Sequence, residues 1–361
     1  MEKSVTFLTL PLVRRVAISA LGLLAMVLVY TGVWVYGARV MIEASQHWVG
    51  ERRAEGYSVR YDDMRATGYP FWIRVELANP GFGAPHATSP WDWEGDSLNV
   101  TARPWRPGRF FLRTSGQQMV SFLGGEKRQT YRGTLDGAQA ELIFKDGDPQ
   151  SVDLRVLGLD LAAQQGTTGG KISLASADIN VRRLPVATGA GQGAATLTLD
   201  LTSSGIELPT TVIASPLGSK IEGLRMTGRL LGSLPRGPGA SLIEALEIWR
   251  DGGGTVEVDR IALSHGALGI RADGTLALDR DLQPVGAFTA RVQGFNETLD
   301  AFSHLGIIGA GQAMSAKLLL GVFAKRPRNG GPATLNVALT VQQRNFYAGP
   351  VKLLQLPLVR W

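Results

Sequence analysis

The sequence predicts a mainly β protein (β-rich α+β): an N-terminal transmembrane helix, then an extended, curved antiparallel-sheet ectodomain with a few covering helices. Three observations predict it. The stretch from Val16 to Ala38 carries no charge. Beyond it, short runs of alternating apolar and polar residues recur between turn-forming residues, the signature of half-buried strands. The composition, with 45 Gly, 18 Pro and only 19% charged residues, suits many short elements joined by tight turns.

The apolar stretch reads VAISALGLLAMVLVYTGVWVYGA. Its roughly 23 residues, rising ~1.5 Å each, make a helix about 35 Å long, enough to cross a ~30 Å hydrocarbon core with some tilt. Tyr30, Trp34 and Tyr36 crowd its far end, where amphipathic rings favour the membrane–water interface. A buried helix of a soluble core is disfavoured at this length without a charge. A cleaved signal peptide has a shorter apolar region ending in a small-residue cleavage site, and Gly37–Ala38 before Arg39 is a poor version of one. Lys3, Arg14 and Arg15 precede the span and Arg39, Arg52 and Arg53 follow it, so the positive-inside rule, somewhat weakened, keeps the N-terminus in the cytoplasm.

The expected organisation is a cytoplasmic N-terminus over 1–15, an uncleaved signal anchor over 16–38, a juxtamembrane helix or stalk over 39–56 and a periplasmic β-rich ectodomain over 57–361. A sub-boundary is placed near 186–195. Gly56 is positioned to end the stalk helix.

Within the ectodomain, Gly68 to Leu77 (GYPFWIRVEL) predicts a strand whose apolar face is Phe71, Ile73, Val75 and Leu77, entered through an extended Tyr69–Pro70. Trp91 and Trp93 flank Asp92 in a second alternating piece, which leads to the rigid Pro104-Trp105-Arg106-Pro107. These tryptophans suit packing where strands meet loops, or a platform for a sugar or lipid. Further alternation marks 152–156, 172–174, 197–201, 256–258, 276–278 and 335–341. Three helices interrupt it. Ser241 caps the first, with Leu242, Ala245, Leu246 and Trp249 on one face before Gly252-Gly253-Gly254. Asn296 caps a second, carrying Leu299, Phe302 and Leu305, and a third runs from about Gly311 to Lys325 with Ala316, Leu319, Leu320 and Phe323 on one side. Such helices between strands cover a sheet.

The absence of cysteine removes disulfides, thiolate nucleophiles and Cys zinc sites. His47, His86, His265 and His304 have no metal-ligand spacing. The formal net charge of +6 comes from singly scattered Lys and Arg, which is weak evidence for nucleic acid and suits an anionic membrane surface at least as well. Gly189-Ala190-Gly191-Gln192-Gly193 lacks the Lys-Ser/Thr of a phosphate loop and reads as a hairpin loop. Gly309-Ala310-Gly311 reads as a hinge. Neither Ser219 nor Ser264 has a nucleophile elbow around it, and Asp62–Asp63 reads as a solvated turn rather than an acid/base or calcium site. No catalytic, cofactor-binding or metal-binding residue is nominated, no cofactor is expected, and the ligand-binding residues stay unassigned.

The order of features carries a resemblance. The N-terminal anchor, Gly68 to Phe71, Trp91/Trp93, Pro104 to Pro107, Trp249-Arg250-Asp251-Gly252-Gly253, Gly274 to Gly294 and a closing Gly349-Pro350-Val351-Lys352-Leu353 together resemble the alphaproteobacterial domain-of-unknown-function family 2125 over nearly the whole chain. That resemblance implies a membrane-anchored, β-rich protein and transfers no residue role. The segment containing Gly274, Thr275, Leu276, Leu278, Asp279, Pro284 and Gly286 is also similar to strands of AsmA-like envelope proteins, an analogy at fold level.

The functional expectation is a non-enzymatic, inner-membrane-anchored envelope protein that binds or shields lipid or another amphipathic ligand in a β-lined groove, because long half-apolar sheets need cover and few helices supply it. The alternatives are an assembly factor docking other envelope proteins and, with least support, a cell-envelope hydrolase. The expected partners are the inner membrane through residues 16–38, a lipid or amphipathic ligand and an envelope protein, with no nucleic acid.

Overall fold

Pairing of strands that are neighbours in sequence builds nearly the whole molecule. The computed structural model describes residues 9–87, 89–124, 127–167, 170–185, 193–209, 217–232, 241–325, 333–359 and 361. It begins with α1 (Thr9–Ala54), one unbroken helix of 46 residues. Gly56 at φ 90 follows its end, and Arg53 turns back to donate to the Val59 carbonyl at 2.6 and 2.9 Å.

Six short strands come next: β1 (Ser58–Arg60), β2 (Asp63–Thr67), β3 (Ile73–Ala78), β4 (Gly81–Ala84), β5 (Trp91–Gly95) and β6 (Ser97–Arg103). They form two ribbons, β2–β3–β6 and β1–β4–β5, which share one side of β7 (Arg106–Gly124). At 19 residues, β7 is long enough for β6 to pair with its first half and β5 with its second.

From β7 the sheet grows by simple antiparallel addition: β8 (Lys127–Lys145), β9 (Asp148–Ala163), β10 (Lys171–Arg183), β11 (Ala195–Glu207), β12 (Lys220–Leu231), β13 (Thr255–His265), β14 (Leu268–Leu278) and β15 (Pro284–Gln293). A helix, α2 (Leu242–Asp251), stands between β12 and β13. Two more, α3 (Phe295–His304) and α4 (Ala310–Phe323), follow β15 before the short β16 (Ala324–Lys325). Then β17 (Thr334–Gln342) pairs with β15, and β18 (Asn345–Ala348) and β19 (Val351–Gln355) complete one large open antiparallel sheet.

Most of the predicted strands lie inside these longer ones. The placed sub-boundary falls mostly on 186–192, outside the described residues, and β10 and β11 on either side of it are hydrogen-bonded neighbours.

Two local devices reconcile the apolar alternation with a single face. In β13 the apolar positions change phase, Val256 and Val258 being followed by Ile261 and Leu263. The ladder skips Asp259 between the Gly228–Val258 and Thr227–Arg260 pairs, so a β-bulge absorbs the extra residue. A second phase change crosses β8 to β12 in line, where Asp136, Gly158, Ala175, Gly205 and Glu222 all drop out of otherwise constant registers. Gly158 and Gly205 stand at φ 59 and 60 in that line. A Cβ at 158 would sit 1.9 Å from Asp136 Oδ2, and one at 205 would sit 2.8 Å from Ala175 Cβ. Left-handed residues at matching heights crease the long strands, and beyond the crease Tyr131, Leu135 and Leu161 are buried.

Two local readings need correction. Residues 69–71 form a turn, not the start of a strand: Gly68 at φ 98 turns the chain, the Tyr69–Pro70 peptide is cis, and Trp72 N–H closes onto the Gly68 carbonyl at 2.9 Å. The apolar face therefore starts at Ile73, and Phe71 is exposed. Asn296 does not cap α3. The helix starts at Phe295, behind Gly294 at φ 68, where a Cβ would sit 1.8 Å from the Ala267 carbonyl oxygen. That tight exit from β15 starts the helix earlier. Ser241 does cap α2, accepting from Glu244 N–H at 3.2 Å, and Gly309 stands before α4 as its N-cap.

The densest core lies at the C-terminal end, where α3 and α4 cover β14, β15 and β17. Ala272, Ala290, Val292, Leu299, Ala313, Ala316, Leu320, Leu335 and Leu339 interlock there. Leu320 is 3% exposed and Leu318, on the same helix, 68%. Leu320→Ala should cost about 2–5 kcal/mol by loss of burial and cavity formation, while Leu318→Ala should stay within about 0.5 kcal/mol. Urea unfolding of the full chain in detergent checks the pair.

Candidate functional site

Antiparallel partners share a face of the sheet, so the register shows what each face carries across the molecule. One row starts at Val75 on β3 and passes through Val100, Leu112 and Ala140 to Leu154. It continues through Ile179, Leu201, Met226 and Ile261 to Ala272, Ala290 and Val337 on β17. Every member is apolar over eleven inter-strand steps, about 50 Å at ~4.8 Å each.

The row one strand position over, on the opposite face, runs Glu76, Asn99, Arg113, Gln139, Arg155, Asp178, Thr202, Arg225, Ala262, Arg271, Arg291 and Asn336, with a single apolar member. Cross-strand ion pairs such as Arg155–Asp178 at 2.6 Å suit that face to water, and the hydrogen bond to Asp178 holds the Arg155 pKa above its ordinary value. Hollows of about 450 and 650 Å³ lie among these polar side chains, the larger beside Arg225, Arg260, Arg271 and Arg291.

Cover on the apolar row is uneven. Its C-terminal end lies under α3 and α4, with Ala290 fully buried. Its N-terminal end lies under α1: a Cβ at Gly37 would sit 2.8 Å from Ile73 Cδ1, and Ile73, Val75 and Ala38 are buried. Between them, from Val100 to Ile261, the row is partly exposed. The arrangement is a continuous apolar strip with helices over its two ends and partly exposed side chains between.

The α1 end is built from aromatic residues and polar tips. Tyr30 OH donates to the Pro70 carbonyl, Trp34 Nε1 donates to the Trp72 carbonyl at 2.7 Å, and Thr31 and Tyr69 hydroxyls lie 2.8 Å apart. The Trp34 and Tyr69 rings meet edge to face at 5.5 Å. Further along α1, Trp48 and Tyr57 pack on Phe82, which meets Trp91 at 5.5 Å. Trp93 donates to Gln118 at 2.9 Å. The structure thus draws the Trp91/Trp93 pair into packing and hydrogen bonding along the α1–β5 junction rather than presenting both as an open platform.

The other singled-out residues stay apart. Asp62 accepts from Asn79 at 2.7 Å, Ser219 donates to Glu207 at 3.4 Å, and buried His265 is bonded to the Gly218 carbonyl. No group of three or more metal-ligating side chains occurs among the described residues. Residues 189–192 of the glycine-rich loop lie outside the described residues.

By length and composition α1 fits a single-pass membrane anchor. Its most apolar window of 18 residues has a mean hydropathy of 2.2 and 0% of that window is buried in the fold. Exposed apolar surface on that scale suits a non-aqueous partner.

A family model described as an uncharacterized protein conserved in bacteria, domain-of-unknown-function family 2125, matches residues 34–357. The chain belongs to this family. The family 2125 match begins at Trp34, inside the apolar segment, and spans every strand of the sheet. No curated protein and no solved structure matches the chain.

The tight Gly37–Ile73 approach generates a prediction for this family member. Gly37→Leu should displace the Ile73 side chain, loosen the α1–β3 contact and lower the urea midpoint of the full chain in detergent. Gly32→Leu, at a position with open space around it, should leave the midpoint unchanged.

Proposed function

We propose that the protein is a non-enzymatic, single-pass inner-membrane protein, with its N-terminus cytoplasmic and its sheet periplasmic, that holds lipid or another amphipathic ligand along the apolar strip. The observation that carries this reading is the twelve-strand apolar row, covered by helices at both ends and partly exposed between. An acyl chain laid across it would remove apolar surface from water, worth about 25 cal/mol per Å² covered. The opposite face, with its ion-pair ladder, would stay in water. The packing of α1 on β3 supports an anchor that is retained, because removing residues 30–38 would uncover Ile73 and Val75 and strip the partners from the 69–72 turn. Lys3, Arg14 and Arg15 support the orientation.

A second reading has its own observation. The outer face of α4 leaves Met314, Leu318 and Val322 at 61, 68 and 81% exposure, a spacing of four that forms one apolar stripe. Such a stripe suits docking of another envelope protein.

Site-specific photo-crosslinking in cells separates the two readings. A benzophenone side chain replacing Leu154, Ile179 or Leu201 should yield lipid adducts, and one replacing Arg155 or Asp178 on the other face should not. Adducts of equal yield on both faces, or none, would refute the lipid reading. A single protein adduct at Leu318 with no lipid at Ile179 would establish docking instead.

A further inference from the structure

We propose that the turn formed by Tyr69, Pro70 and Phe71 is a second membrane-embedded element, which enters the bilayer beside α1 at the covered end of the apolar row. The proposal rests on α1 being a membrane span.

Position along the helix is the first argument. The turn touches α1 at Tyr30, Thr31 and Trp34, inside the charge-free segment that ends at Ala38. Tyr30 lies eight residues before that end, about 12 Å at ~1.5 Å per residue. A ~30 Å core accommodates about 20 residues of straight helix, so a core starting at Val16 reaches about Val35. The turn thus docks at the depth where acyl chains give way to headgroups.

Surface chemistry is the second. Phe71 is 63% exposed and Tyr69 49% exposed, although β3, which they precede, has a covered apolar face available. An exposed Phe at the tip of a turn, next to an amphipathic Tyr, is out of place in water and suited to the interface. Several of the turn's polar groups that would be costly in lipid are paired within the protein. The Pro70 carbonyl accepts from Tyr30, the Trp72 carbonyl from Trp34 and the Gly68 carbonyl from Trp72 N–H, while the Tyr69 hydroxyl meets Thr31. Pro70 has no N–H to satisfy.

Charge begins immediately beyond the turn. Arg103 lies over the Trp72 ring at 4.7 Å, Arg74 follows on β3 and Arg39 follows the apolar segment of α1. Aromatic residues at the tip with the Arg103 guanidinium over the neighbouring Trp72 ring match the order of acyl boundary and anionic headgroup. Two points of attachment would restrain the tilt of the sheet. They would also place the α1-covered start of the apolar face, Ile73 and Val75, beside the leaflet.

The test exploits the absence of cysteine. Nitroxide-labelled single-cysteine variants of the full chain are placed in nanodiscs of phosphatidylethanolamine and phosphatidylglycerol: Phe71→Cys, Tyr69→Cys, Val29→Cys in the span and Thr289→Cys on the polar face. The labels at 71 and 69 should lose access to a water-soluble nickel chelate and keep access to oxygen, as the label at 29 does. Chelate access at 69 and 71 equal to that at 289, with 29 still shielded, would overturn the proposal and leave the anchor standing. Chelate access at 29 as well would overturn both.

Discussion

The face-sharing of antiparallel partners is the constraint on which the rest of this structure depends. Once Val100 is opposite Leu112, and Leu112 opposite Ala140, each added strand must put an apolar residue at the same height or break the face. Register and hydrophobic pattern specify one another, because a slip of one residue turns a whole strand inside out. Here the specification holds across twelve strands. The bulge at Asp259 and the crease through Gly158 and Gly205 fall where alternation within individual strands changes phase, which makes them part of the pattern and not defects in it.

A sheet so patterned has an apolar face to cover, and its cover differs from end to end. At the C-terminal end the chain supplies α3 and α4, and Ala313 and Ala316 of α4 join Ala290 and Ala272 in one buried cluster. At the N-terminal end it supplies α1, approached closely at Gly37. Neither device reaches the middle, where Leu154, Ile179, Leu201 and Met226 are partly exposed. A sheet whose apolar row is covered by helices only at its ends is unusual for a protein whose core alone must balance chain entropy without disulfides. The exposed middle is therefore the feature that most needs a physical account, and an amphipathic occupant supplies one.

Much of this was legible in the sequence. The apolar length of 16–38, the alternating runs and the Ser241 cap rest on local spacing, and local spacing decides them. What stayed hidden depends on partners far away in sequence. Nothing near Phe71 shows that Tyr30 and Trp34, some 40 residues earlier, capture the turn, and the alternating pattern around it reads as continuous strand. The Trp91/Trp93 pair reads as a platform until Phe82 and Gln118 are seen against it. Asn296 has the chemistry of a cap, and only the closeness of Ala267 to Gly294 moves the helix start. The apolar row itself is written in the sequence as separate alternations, but its continuity exists only in the register.

The same reasoning bears on why the anchor and the sheet form one unit. A helix that only tethered a domain would need no specific contact with it, and a flexible linker would serve. Instead α1 continues without a break past the apolar segment to Ala54, buries Ala38 and Val49, and ends in a carbonyl contact from Arg53 to Val59. Its aromatic residues, of the kind that suits a lipid interface, pack on the 69–72 turn and so hold the first apolar strand. With α1 as an anchor, coupling of this kind would fix where the apolar face begins relative to the bilayer. That has a use if something must pass from one to the other, and none if the helix is only a tether.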